Sequence, residues 1–270
     1  MPEGTDLRGL GVVVTRPAHQ ARGLVEALER AGARPIAFPA LEIVPPRDLA
    51  ALDAVIDRLH EYDFAIFISP NAVEHAVGRI RARRGDLPEG LRVAAVGRGS
   101  ARELKRLGVA ADIVPPARAD SEALLALPEL QEEAVRGRRV VIFRGEGGRE
   151  LLAETLRARG ARVDYGEAYR RARPQADVGV LLRHWARGEI DLVTVTSNEA
   201  LTNLFEMVGQ LGRRWLRDTP LVVTGERQAA LARELGMRGE VRVAGGAGDE
   251  QLMAAIAAWA RAHREGQAKA

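Results

Sequence analysis

The chain has 270 residues, of which 46% are hydrophobic and 29% charged, with a formal charge of +3; this suits soluble globular material with room for two domains. Only 4% of residues are aromatic, too few for base-stacking platforms, so nucleic acid is not an expected partner. The absence of cysteine excludes disulfides, thiolate nucleophiles and iron–sulfur ligation and fits a cytoplasmic chain; neither a signal peptide nor an apolar run of about 20 residues suggests export or a membrane.

In chain order the pattern is a short β-branched run, a polar or glycine-bearing turn, and a segment of helical period that ends at glycine. "GVVVT" from Gly11 leads into "HQARGLVEALERAG", closed by Gly32. The next stretch, "PIAFPALEIVPPRD", is extended and bounded by proline. "FAIFIS" from Phe64 then leads into "NAVEHAVGRIRAR", and "VAAVG" from Val93 into "GSARELKRLG", closed by Gly108. "DIV" passes through "PPARAD" to a helical segment "SEALLALPELQEEA", for which Ser121 is the expected N-cap. The series then begins again with "RVVIFRGEGGRELLAETLRARGAR" from Arg139, a second proline-bounded stretch "VDYGEAYRRARPQAD", "DLVTVTSNEALTNLF" from Asp191 and "LVVTGERQAALARELGM" from Leu221.

These two series are one pattern written twice. Shifting the sequence by 128 residues aligns nine identities in the 23 positions from Val12 to Arg34, where ordinary composition gives roughly two. The same offset, without gaps, brings Gly97, Ala101 and Gly108 onto Gly225, Ala229 and Gly236, and Glu122 and Leu124 onto Glu250 and Leu252. Alternating strands and helices predict parallel sheets covered on both faces: an α/β fold of two duplicated Rossmann-like or flavodoxin-like lobes. The proline-bounded stretches are either further sheet strands or linkers; as duplication partners they are able to pair as a two-stranded antiparallel bridge between lobes.

In open parallel sheets ligands gather beyond the carboxyl ends of strands, where helix N-termini present free N–H groups. Here those turns read "TRP" at Thr15, "SPN" at Ser69, "GRGS" at Gly97, "RGEGG" at Arg144, "TSN" at Thr196 and "TGER" at Thr224. Taken singly, Ser69, Asn71, Ser197 and Asn198 also read as plain helix caps; taken together, the turns suit a large polyanion. Arginine dominates the basic residues, since Lys105 and Lys269 are the only lysines, and its planar fork matches carboxylates. The spacing G-x-G-x-x-G and the phosphate-loop pattern are both absent, the five histidines lie at no metal-ligand spacing, and no nucleophile elbow is present. Neither a cofactor nor a metal is expected. Tyr62 and Tyr165 read as packing residues. Tyr169, in "EAYRRARP" beside Arg170 and Arg171, is either a core-facing strand residue or a neutral proton donor near cations.

The ordered set "VTRP", "DFAIFISPNAV", "VAAVGRGSARELKRLG", "RGEGGRELLAETLRARGARV", "AYRR", "DLVTVTSNEAL" and "VVTGERQAALARELG" resembles the uroporphyrinogen-III synthase family over roughly residues 9–259. The resemblance implies two α/β lobes joined by a two-stranded antiparallel ladder. Residues 1–34 with 174–264 would form one lobe and 46–161 the other, with 35–45 and 162–173 as linker strands and 265–270 a disordered tail. It implies a cyclising hydro-lyase of tetrapyrrole biosynthesis, acting without a cofactor on the linear octacarboxylate hydroxymethylbilane, as a cytoplasmic monomer that could receive its substrate from the preceding pathway enzyme. Tyr169, in "AYRR", is then the candidate to hydrogen-bond the departing hydroxyl. Arg16, Ser69, Asn71, Ser100, Arg144, Gly145, Ser197, Asn198, Gly225 and Gln228 are the candidates for substrate binding. At Gln228 the chain departs from the hydroxyl residue usual in the family, while Ser100 keeps a hydroxyl at the matching place of the other copy. A two-lobed, non-enzymatic anion-binding protein is the competing reading.

Overall fold

The β-branched runs form strands and the helical-period segments form helices, as traced in a computed structural model that describes residues 6–116 and 120–267. In chain order the elements begin β1 (Gly11–Val14), α1 (Ala18–Arg30), β2 (Arg34–Ala37), β3 (Glu42–Val44), α2 (Leu49–Asp57), β4 (Phe64–Phe67), α3 (Pro70–Arg84), β5 (Arg92–Ala95), α4 (Arg98–Arg106), α5 (Ser121–Leu125) and α6 (Glu132–Val135). They continue with β6 (Arg139–Gly145), α7 (Leu151–Ala158), β7 (Arg162–Ala172), α8 (Val178–Ala186), β8 (Leu192–Val195), α9 (Asn198–Met207), α10 (Gly209–Asp218), β9 (Leu221–Val223), α11 (Glu226–Glu234), β10 (Val241–Val243) and α12 (Asp249–Gln267). The chain divides into two units, one running up to Glu42 and resuming at Ala172, the other Ile43–Arg171.

The first unit holds the sheet β10-β9-β8-β1-β2, parallel at every pairing. Numbered within the unit this is the flavodoxin-like order 2-1-3-4-5, with its reversal between β1 and β8. One face packs under α8 to α11 around Val193, Leu201, Leu204 and Leu216; the other packs under α1 and α12 around Leu24, Leu28, Ile256 and Trp259. The second unit holds the sheet β3-β7-β6-β4-β5, in which β7, β6, β4 and β5 pair in parallel. Its faces are covered by α2 to α4, around Phe67, Val73, Ile80 and Phe143, and by α5 to α7, around Ile66, Leu130, Ile142 and Leu156. The 128-residue offset carries β1 onto β6, β2 onto β7, β4 onto β8 and β5 onto β9, and each pair occupies the same place in its sheet. Each sheet therefore combines a βαβ unit from one copy with strands from the other.

The repeated aspartates have a structural task. Asp63 accepts the Arg139 N–H at 2.8 Å with one carboxylate oxygen, and Asp191 accepts the Gly11 N–H at 2.7 Å. Their own amides return the contact to the Arg139 and Gly11 carbonyls, both at 2.9 Å, so in each sheet the amino ends of the two central strands, one from each copy, are pinned together. Gly32 and Gly160 both end a helix at a φ of 83°, where a side chain would be strained.

Three expectations change, and the choice left open for the proline-bounded stretches falls to sheet strands. "SEALLALPELQEEA" is not one helix: Pro128 lacks an N–H and opens a 3₁₀ turn, Pro128–Leu130, that separates α5 from α6. Its N-cap is Asp120, whose carboxylate accepts the Ala123 N–H at 2.8 Å, rather than Ser121. The segments 35–45 and 162–173 are sheet members: β2 adds to β1, and β7 pairs with β6 on one side and β3 on the other. The tail expected to be irregular from residue 265 is helical to Gln267, since the alanine-rich α12, with arginine and glutamate among its last residues, carries strong helix formers to its end; residues 268–270 lie outside the described residues.

Candidate active site

In the second unit the sheet order reverses between β6 and β4, and the carboxyl ends of these strands carry Arg144, Gly145 and, just past β4, Ser69. Ser69 caps α3 from extended backbone, and its hydroxyl accepts the Ala72 N–H at 3.1 Å. Pro70 follows at the first helical position, where the missing N–H costs nothing. Asn71 lies in the same turn. Ser100 is buried in the first turn of α4, and its neighbour Gly99 is the residue that approaches this turn: a side-chain carbon built there would come 3.4 Å from Pro70.

Tyr169 reaches this point from β7. The β6–β7 register shifts between Arg144 and Gly145, so that Arg144 faces Glu167 but Gly145 faces Tyr169. Strict alternation from Val163 and Tyr165, which pack on the α5–α7 face, would leave Tyr169 on that face too. The irregularity instead turns it under α3 beside Ala168 and Phe143, with 2% of its surface exposed. Its hydroxyl lies 3.1 Å from that of Ser69, and its ring stacks on His75 at 5.9 Å. His75 is thus part of the tyrosine's surroundings. Tyr62 and Tyr165 pack as expected and each donates to a carboxylate, Tyr62 to Asp164 and Tyr165 to Glu150; burial foremost, then the carboxylate, raises both phenol pKa values.

The two arginines proposed from sequence hold loops. Arg144, 3% exposed, donates to Glu150 at 2.9 Å, to the Gly147 carbonyl, and lies over the Tyr165 ring at 4.7 Å. Arg16, 8% exposed, donates to Asp249 and to the Ala247 carbonyl. Glu150, Asp249 and these carbonyls were not singled out from sequence, because nothing in their spacing marks them as partners. A cavity of about 230 Å³ opens past the same strand ends toward α5 and α7, with Arg144, Arg149 and Ser121 among its lining.

In the first unit Ser197 caps α9, accepting the Ala200 N–H at 3.0 Å, and Asn198 is exposed beside it. Gly225 precedes α11 in extended backbone, and the Gln228 side-chain oxygen accepts from Thr224 at 3.3 Å. Arg16, Ser197, Asn198, Gly225 and Gln228 therefore belong to the first unit, and Ser69, Asn71, Ser100, Arg144, Gly145 and Tyr169 to the second. No group of three or more metal-ligating side chains is found among the described residues.

The family model for Uroporphyrinogen-III synthase HemD matches residues 22–251. The chain belongs to the uroporphyrinogen-III synthase family. A relative named "Uroporphyrinogen-III synthase" from Salmonella typhimurium is 36% identical over 92% of this chain and all of its own length, and one of the same name from Escherichia coli agrees to the same extent. A relative from Synechococcus elongatus is 31% identical over 94% of this chain and 97% of its own length. Among solved structures, that of a mutant uroporphyrinogen III synthase from Thermus thermophilus covers 95% of this chain and 99% of its own, with a TM-score of 0.58 at 20% identity. The enzyme from Helicobacter pylori gives 0.55 at 13% identity over 90% of this chain and 96% of its own. Both show the α/β fold with parallel sheets that the family shares.

Proposed function

We propose that this chain is a uroporphyrinogen-III synthase: a cyclising hydro-lyase that closes linear hydroxymethylbilane to uroporphyrinogen III, with loss of water and inversion of the terminal ring. The match to relatives of that name along nearly the whole of both chains carries the reading. No observation favours the anion-binding alternative.

The chemistry asks little of acids and bases. The electron-rich pyrrole expels the hydroxyl: the carbon–oxygen bond breaks with its electron pair on oxygen, which takes a proton and departs as water. Closure with inversion then takes three bond changes: the exposed methylene carbon bonds to the substituted α-carbon of the terminal ring as a spiro intermediate, the bond from that carbon to its old bridging carbon breaks, and the freed bridging carbon bonds to the ring's other α-carbon, whose proton returns to the donor. A neutral phenol suffices as that donor, and Tyr169, held at the first turn of α3, is the candidate. The substrate cyclises unaided to the wrong isomer, so geometry is the main demand on the protein. Helix-start amides beside Ser69, Asn71, Ser100, Ser197, Asn198 and Gly225 suit its eight carboxylates, because they are fixed dipoles aimed beyond the strand ends. Arg16, Arg144 and Gly145 contribute by shaping those turns. The crossings between units, at Glu42–Ile43 and Arg171–Ala172, fall within β3 and β7, which pair; this supports a two-stranded connection of the family's kind.

The test is incubation with enzymatically generated hydroxymethylbilane followed by isomer analysis. The expected product is the type III isomer; type I alone, as in buffer, rejects the synthase reading.

A further inference from the structure

We propose that Ser69 and Gly145 are positioning residues that act through Tyr169, Ser69 by donating its hydroxyl proton to the tyrosine oxygen and Gly145 by leaving room for the ring. The inference rests on the synthase reading for its activity measurements. One lone pair of the Ser69 hydroxyl is already engaged by the Ala72 N–H, which belongs to the 15-residue helix α3 and cannot turn away. The tyrosine oxygen is the other partner, at 3.1 Å, and either oxygen could donate. The two directions differ chemically. If Tyr169 donates to Ser69, its proton is engaged and unavailable for the leaving hydroxyl. If Ser69 donates, the donors line up from the Ala72 N–H to Ser69, from Ser69 to Tyr169, and from Tyr169 to the substrate, each polarising the next. Only this direction lets the phenol protonate the departing oxygen, and the serine proton then steadies the phenolate until ring closure returns a proton.

Gly145 fixes the ring from the side of β6. A side-chain carbon there would come 2.7 Å from Tyr169 Cζ and 3.1 Å from its hydroxyl. The ring is buried against His75 and Ala168 and cannot swing aside, so an added methyl group displaces the hydroxyl from Ser69. On this account neither residue needs to touch a substrate carboxylate, although both were read from sequence as doing so.

The experiment is a double-mutant cycle on the full chain, using Ser69→Ala, Ser69→Thr, Tyr169→Phe, the Ser69→Ala/Tyr169→Phe pair and Gly145→Ala, with kcat and KM measured on hydroxymethylbilane. Ser69→Ala should lower kcat about tenfold, the worth of one hydrogen bond, with KM changed by less than about twofold. Ser69→Thr should restore turnover, Gly145→Ala should lower kcat as Ser69→Ala does, and Ser69→Ala should add nothing once Tyr169 is phenylalanine. In parallel, ¹³Cζ-tyrosine spectra, with the Tyr169 signal assigned by its loss in Tyr169→Phe, should show that signal shifted in Ser69→Ala and Gly145→Ala. It should not move in Ser197→Ala, which removes the matching helix cap of the other unit. A rise in KM at unchanged kcat, effects that multiply in the cycle, an inert Tyr169→Phe, or an unmoved Cζ signal would each overturn the proposal. Should the wild type yield only the type I isomer, the synthase reading falls, while the Cζ comparison still decides whether Ser69 and Gly145 hold the ring.

Discussion

The starts of α3 and α9 are the same device in two settings. Ser69 and Ser197 sit at nearly identical backbone angles, φ and ψ of −155° and 160° against −154° and 157°, and each accepts the amide three residues on. What surrounds them differs. The 128-residue offset places Leu41 where the second unit has Tyr169, Pro17 where it has Gly145, and Asn203 where it has His75. Leu41 is a buried member of the apolar cluster that includes Val195 and Ala200, and Asn203 donates to the Ala40 carbonyl at 2.9 Å. Helix-start backbone donors are thus duplicated while the phenol is not, so under the proposed function a proton donor is offered by one unit alone.

If the copies are equivalent as scaffolds, matched substitutions should cost the same in both. The largest effect is expected for Leu24→Ala and Leu152→Ala, equivalent residues on α1 and α7 that are 0% and 5% exposed. Each should lose about 3 kcal/mol, from lost burial and the cavity left behind, as read from urea unfolding midpoints. A large inequality would mean that one unit has come to rely on different packing.

A smaller loss tests the arginine clamps. Arg144→Ala removes a buried guanidinium with three kinds of contact, to a carboxylate, a carbonyl and an aromatic face, and should cost about 2 kcal/mol. Arg16 is held by a carboxylate and a carbonyl, the first two of these contacts without the third, and Arg16→Ala should cost less. Equal costs would make the Tyr165 stack irrelevant. Next come Asp63→Ala and Asp191→Ala, each leaving a strand-end N–H without its carboxylate; about 1 kcal/mol apiece is expected, and hydrogen exchange at Arg139 and Gly11 should speed up accordingly.

These pairs also mark what the sequence could and could not show. The repeat, the central strands and the glycine-closed helices were legible because period and punctuation are local properties. The recurring aspartates were visible as a signal, but their strand-pinning task needs the neighbour 76 or 180 positions away. Strand identity for the proline-bounded stretches stayed open, since proline is compatible with an edge as well as a linker, and β2 and β3 do lie at sheet edges. The facing of Tyr169 was hidden for another reason. It depends on a register shift opposite Gly145, which alternation within β7 cannot reveal. Arg16 and Arg144 were found through the strand-end turns and the family resemblance, neither of which marks their partners Asp249 and Glu150.

The smallest effect concerns pH and separates the two clamps by chemistry rather than by packing. The Tyr165 hydroxyl first, and the Arg144 guanidinium second, hold the Glu150 carboxyl below its ordinary value of 4.5. A lowered folded-state pKa favours the charged form, so the stabilisation from this carboxylate is complete above about pH 4.5 and disappears as pH falls through the lowered value. Glu150 is half exposed, so the energy involved is small and screened by salt. The offset places Arg22 at the equivalent position of the first unit, where it pairs with Glu26 on α1 rather than with the arginine clamp. Acidification from pH 6 to 3 should therefore loosen the loop between Gly145 and Glu150 in hydrogen exchange, and Glu150→Gln should abolish the acid-dependent part while keeping the neutral acceptor for Arg144. If the wild type and Glu150→Gln lose protection in that loop along the same curve, the carboxylate is not what ties Arg144 to the turn, and the clamp rests on the Gly147 carbonyl and the tyrosine face alone.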